Sequence, residues 1–146
     1  PNGAMLEVNQ LADPSDYGKF QGRSFTLLLI DEAGQYAVPD LLDRDFTAAA
    51  INLKWCGDLT EVPTDEGKLY LAHVEDLASR RIPGFSLSEH HDAPLAVAAL
   101  AMAAAVRGGD VTGVIFHSDH GSDYSAELFE TACRRLGVRQ SMGRVR

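Results

Sequence analysis

Val111-Thr112-Gly113-Val114-Ile115-Phe116 runs directly into His117-Ser118-Asp119-His120-Gly121, and this stretch decides how the rest of the chain is read. The first six positions form a nearly unbroken apolar run. That is the pattern of a central parallel strand, covered on both faces. The run ends on an acid. Ligands in open sheets gather beyond the carboxyl ends of parallel strands, which is where Asp119 falls.

Elements on either side fit such a strand. Upstream, Asp92 is placed to cap a helix, with Pro94 in the first turn and Gly108-Gly109 as the stop. Positions 95–106 are apolar nearly all round, so this helix is expected to be largely buried, its alanines allowing a close approach to a sheet. Downstream, Ser125 is the expected cap of a second helix, with Glu127 in its first turn, Arg134 and Arg135 in its last, and Gly137 beyond. Leu128, Ala132 and Leu136, at i, i+4 and i+8, would stack on one face. Val138–Met142 reads as a short fifth strand. Before the first helix, Lys54–Val62 reads as a strand closed by Pro63 and the turn Thr64-Asp65-Glu66-Gly67. Lys68–Val74 is a second strand and Arg80–Leu87 a third, with Pro83 at an edge or bulge. The order β-β-β-α-β-α-β implies a mixed sheet with helices packed against it.

A second acid stands out beside Asp119. Asp58 interrupts the otherwise apolar Trp55-Cys56-Gly57-Asp58-Leu59. Carboxylates on neighbouring strands can together hold Mg²⁺, a hard cation that takes oxygen ligands and keeps several waters. In phosphoryl transfer, metal ions ~4 Å apart stabilise both the attacking and the leaving oxygen. Spacing alone does not decide this, because an acid at a strand end more often serves a turn or a helix cap.

The neighbouring letters carry more. Trp55-x-x-Asp58-Leu59-Thr60, Thr64-Asp65-Glu66-Gly67-Lys68-Leu69-Tyr70-Leu71-Ala72 and Asp76-Leu77-x-Ser79-Arg80-Arg81-Ile82-x-Gly84 resemble the integrase catalytic core of bacterial insertion-sequence transposases. The resemblance continues through Phe116-His117-Ser118-Asp119-x-Gly121-Ser122-x-Tyr124 to Gln140-Ser141-Met142-Gly143-Arg144, in the family's order and over about two-thirds of the chain. It implies a ribonuclease H-like α/β fold of the DDE type: a five-stranded mixed sheet flanked by helices, without the terminal helix. It also implies Mg²⁺-dependent cleavage and transfer of DNA strands, with Mn²⁺ as a substitute, Asp58 and Asp119 as catalytic and metal-binding residues, and His117 supporting Asp119. DNA and further copies of the chain would be its partners. A third acid, a Glu, is implied beyond Arg146, so the sequence reads as a core truncated before it. No acid follows Glu130.

Some positions depart from that pattern. His120 and Asp123 stand for the more usual Arg and Gln, and His73, Glu75 and Pro83 for apolar or β-branched residues. Residues 1–40 do not resemble the family's upstream region. They hold one strand candidate, Phe25–Ile30, among turn formers, and the division is placed at 1–40 and 41–146.

Composition bounds the alternatives. The chain has 146 residues, 45% hydrophobic and 23% charged, enough for one domain with a real core. It starts at Pro1, as a trimmed chain or fragment would, and shows neither a signal peptide nor a membrane span. Cys56 and Cys133 are too few for a disulfide framework, consistent with reduced thiols in the cytoplasm. Net charge is −8, against the usual DNA-binding balance. From Thr131 onward, however, Arg134, Arg135, Arg139, Arg144 and Arg146 meet no acid.

Two other functions compete with an active transposase core. One is an inactive remnant serving as a DNA-binding or oligomerisation module. The other is a zinc hydrolase using His90, His91 and Asp92 with His117, Asp119 and His120, although the first three read better as a polar turn entering a helix. Trp55 and Tyr70 are expected in the core. Arg80 and Arg81 either face phosphates or form a solvated strand end.

Overall fold

The structure, a computed structural model, describes residues 38–143 together with the backbone of Leu29–Ile30 and Tyr36–Ala37. These two short strands, β1 (Leu29–Ile30) and β2 (Tyr36–Ala37), pair antiparallel. The other positions of the Phe25–Ile30 candidate, 25–28, lie outside the described residues.

The main sheet comprises β3 (Lys54–Thr64), β4 (Gly67–Asp76), β5 (Gly84–Ser88), β6 (Ile115–Ser118) and β7 (Arg139–Met142), in the order β5-β4-β3-β6-β7. Its first three strands form an antiparallel meander, while β6 and β7 run parallel to β3. Crossovers carry α1 (Ala93–Val106) and α2 (Glu127–Leu136). The mixed sheet read from the sequence is the one observed.

Local boundaries differ for physical reasons. β3 continues through Pro63 to Thr64, because next to the turn of the β3–β4 hairpin, past the stretch paired with β6, a missing N–H costs little. β5 begins at Gly84 rather than Arg80. Arg80 is left-handed at φ 57° and donates its N–H to the Asp76 carbonyl, closing a turn before the strand starts. β6 begins at Ile115, and Val111 and Val114 instead fill the core from a turn joined by the Val114 N–H to the Val111 carbonyl.

Trp55, Ala72, Val74, Phe116 and Met142 line one sheet face and bury against both helices. Gly84 sets how closely α1 can sit. A Cβ there would lie 2.2 Å from the Ala99 carbonyl oxygen and 2.5 Å from the Ala103 nitrogen. α1 is capped as expected, Asp92 accepting from the Leu95 N–H. It is less buried than its composition suggests: Leu95, Ala96, Ala99, Leu100, Ala103 and Ala104 face inward, while Met102 and Val106 are exposed.

α2 differs from expectation in two ways. Ala126 is its N-cap, with no side-chain hydrogen bond, because the Ser125 hydroxyl donates to the carbonyls of Gly121 and Ser122. The face that packs is Phe129 and Cys133, whereas Leu128 is exposed. Gly137 does end the helix in the left-handed region, at φ 70°.

Candidate functional site: two aspartates on neighbouring parallel strands

The parallel register of β3 and β6 places the site. Lys54 pairs with Ile115, Trp55 with Phe116 and Cys56 with His117. Asp58 lies two residues past Cys56, and Asp119 two past His117. Strand side chains alternate with period two, so Asp58 belongs with Cys56 to the face opposite Trp55, while Asp119 directly follows Ser118, the last residue of β6. Both are exposed. The two segments that carry the residues singled out from the sequence are thus neighbours in the sheet.

Short contacts hold each carboxylate. Asp119 Oδ1 accepts the Gly121 N–H at 2.9 Å, an Asx turn made as the chain leaves β6. A Cβ on residue 121 would lie 2.9 Å from that same oxygen, so glycine leaves the carboxylate its room. On β3, the Thr60 hydroxyl donates to Asp58 Oδ2 at 3.3 Å.

His117 shares this face but bonds elsewhere. The Ser141 hydroxyl oxygen accepts the Leu41 N–H at 2.8 Å and shares a hydrogen bond with His117 Nδ1, 2.9 Å away. Burial pushes its pKa below the ordinary histidine value, helped by His120 and opposed by Asp40. Phe46 packs edge-on against it at 5.6 Å. His117 therefore ties β6 to β7 and to the segment entering the core, where Leu42 is buried and Met142 N–H donates to the Pro39 carbonyl.

The histidine–aspartate set read as possible zinc ligands does not gather. His91 Nδ1 pairs with Asp123 Oδ2 at 3.0 Å and its ring meets Tyr70 edge-on, while Asp92 caps α1. Among the described residues no group of three or more His, Cys, Asp or Glu is placed to hold a metal ion. Cys56, on the Asp58 face, is pushed up to about 11, chiefly by burial and then by Glu75, which makes it a poor nucleophile. Arg80 and Arg81 are exposed, and Arg80 pairs with Glu75 at 3.2 Å.

Sequence reading assigned no role to two residues that matter here. Asp76, fully buried, accepts from the backbone N–H groups of Asn52, Ala78 and Ser79, from the Ser79 hydroxyl and from Trp55 Nε1. Tyr124 is buried against Phe116 and Phe129, yet the charges of Asp58 and Asp119 reach its hydroxyl. Both lay within the quoted motifs, but a letter does not disclose which neighbours a fold will supply.

An antiparallel meander followed by two parallel strands, each reached through a helical crossover, defines a ribonuclease H-like α/β core with an acidic site at its parallel strands. The chain belongs to the integrase core domain family, whose model matches residues 48–146. It is 44% identical over 103 residues to the transposase InsF for insertion sequence IS3A of Escherichia coli (strain K12), covering 70% of this chain and 35% of that one. It is also 38% identical over 106 residues to the transposase for insertion sequence element IS904 of Lactococcus lactis subsp. lactis (strain IL1403), covering 73% and 42%. The chain thus spans about two-fifths or less of these relatives. In fold it is similar to the catalytic core of HTLV-2 integrase, solved in complex with magnesium, with a TM-score of 0.55 at 20% identity over 65% of this chain and 63% of that one. It is likewise similar to a chain of the simian T-cell lymphotropic virus intasome, with a TM-score of 0.57 at 20% identity over 68% and 37%.

No helix among the described residues is long and apolar enough to cross a membrane.

Proposed function

We propose that this chain, residues 41–146 above all, is the catalytic-core portion of an insertion-sequence transposase, with Asp58 and Asp119 jointly holding a divalent cation for phosphoryl transfer on DNA. The observation that carries this reading is the shared register of the two acids, two residues past the Cys56–His117 pair on parallel neighbours. Their donor chemistry fits Mg²⁺: two exposed hard oxygen ligands, with room for the waters that this ion keeps. Mn²⁺ fits the same set. When bound, the ion would supply charge stabilisation at the phosphate and an activated water. The chain's own part is positioning: β3 and β6 fix the carboxylates, and the Asp119–Gly121 turn fixes the angle of one of them. His117 supports that geometry by holding β7 and the Leu41 segment to β6. No covalent enzyme intermediate is needed, since positioning and electrostatics suffice for this chemistry. DNA as substrate, self-association and a cytoplasmic setting belong to this proposal, supported by the relatives' being transposases, and the exposed Arg81 and Arg139 are available for phosphates.

Mg²⁺ titration followed by amide NMR tests the site. Shifts are expected at Asp58, Asp119 and Gly121, and Asp58→Asn should abolish those at Asp119. If the Asp119 shifts survive in the mutant, the ion is not shared. Because two carboxylates are weaker than three, joining of end-bearing oligonucleotides is expected to need a further acid beyond Glu130. Joining by these 146 residues alone would refute that.

A further inference from the structure

We infer that His91 is a positioning residue of this site, its bond to Asp123 holding the loop that carries Asp119 against the approach to α1. The inference rests on reading Asp58 and Asp119 as an ion-holding pair. Three observations carry it. First, the loop between β6 and α2 is tied along its length. At its start, Asp119 Oδ1 accepts the Gly121 N–H at 2.9 Å. At its end, the Gly121 carbonyl accepts the Ser125 N–H at 3.1 Å, and the Tyr124 carbonyl accepts from the Gln140 side chain of β7. Between these ties, Asp123 Oδ2 accepts from His91 Nδ1 at 3.0 Å. Among the described residues, the loop's other side-chain hydrogen bonds run within it or to Ser118 and Gln140. His91 is therefore its bonded link to the α1 side of the core.

Second, the donor is itself held. The His91 ring lies edge-on to Tyr70 of β4 at 5.2 Å, and Asp92, the next residue, caps α1 by accepting the Leu95 N–H. The bond thus reaches the loop from a fixed platform. Third, packing gives no reason for an acid at position 123. Asp123 is 8% exposed, and a carboxylate withdrawn from water is destabilising unless something bonds it. Among the described residues, His91 is the side chain that does so. The bond fixes the loop midway between the turn that aims Asp119 and the anchor at Tyr124. Groups that hold a ligand's geometry set how well it binds, without touching the ion themselves.

The test follows Mg²⁺ titrations of the 146-residue chain by amide NMR. His91→Ala should shift the Gly121, Ser122 and Asp123 amides before any metal is added. It should also weaken Mg²⁺ binding, read at the Asp119 amide, by about threefold, the scale of a partly exposed pair. His91→Asn, whose side-chain amide can donate from nearly the place of Nδ1, should restore both. The His91 side chain is 46% exposed, so both variants should fold. If His91→Ala binds Mg²⁺ as tightly as the unaltered chain, or His91→Asn is as weak as His91→Ala, the bond does not position Asp119. The inference is then overturned, though the metal site stands. If the Asp119 amide of the unaltered chain ignores Mg²⁺, the ion-holding reading falls and takes this inference with it.

Discussion

Cys56 and His117, sixty-one positions apart in sequence, are paired on the parallel strands β3 and β6, with Asp58 and Asp119 each two residues further along.

That relationship predicts how a paramagnetic ion will act. Mn²⁺ at a small fraction of the protein concentration should broaden the amides of Asp58, Asp119 and Gly121 together. Chelation with EDTA should restore all three, and Asp119→Asn should spare Asp58. Broadening at one strand only would separate the acids.

α2 offers a test of which face packs. Phe129→Ala should cost about 3–5 kcal/mol, since that ring is fully buried against Phe116 and Tyr124. Leu128→Ala should change stability by roughly 0.5 kcal/mol or less, its side chain being half exposed. Chemical denaturation compares them, and similar losses would contradict the observed face.

Asp76 governs acid stability. Burial alone would raise its pKa, but donors from Asn52, Ser79 and Trp55 outweigh this and hold it below the ordinary aspartate value. A carboxyl with a lowered folded pKa stabilises the fold above its unfolded pKa and loses that contribution as pH falls through the folded value. Asp76→Asn should therefore cost about 3 kcal/mol at pH 7, and much less near pH 2. A pH-independent loss measured by thermal melts would be inconsistent with this.

His117 should report a second transition at milder pH. Its folded pKa is depressed, chiefly by burial, so the neutral ring is stabilising above the unfolded value near 6.5, and that stabilisation fades as pH falls through the folded value. Ser141 Oγ lies 2.9 Å from His117 Nδ1 and so feels the ring's charge when it protonates. Ring-proton NMR should show a pKa below 6.5, with Leu41 and Ser141 amides shifting on the same curve. A pKa at or above 6.5 would argue against the Ser141 bond.

Much of this was legible in the letters. Strand, helix and turn signals repeat every few residues, so the order of elements, the Asp92 cap and the Gly137 stop follow from local chemistry. Asp58 and Asp119 were identifiable because each is a charge at an otherwise apolar strand, within a motif shared by a family. Boundaries at Arg80, Val111 and Ser125 were misjudged because each depends on a hydrogen bond to, or a packing place beside, something its own segment does not contain. At α2, Ala132 and Leu136 of the spaced set pack against the core, but Leu128 turns to solvent and Phe129 and Cys133 are the fully buried pair.

The sequence by itself therefore determined the α/β fold class, written in periodicity along single strands, and singled out the two acids through their family motif. Tertiary structure alone decided that Cys56 pairs with His117 beside those acids, that Asp76 collects donors from the Asn52–Trp55 and Ala78–Ser79 segments, and that Tyr124 is anchored in the core. These depend on strand register and loop closure, which juxtapose residues far apart in the chain, and no local pattern encodes a distance between them.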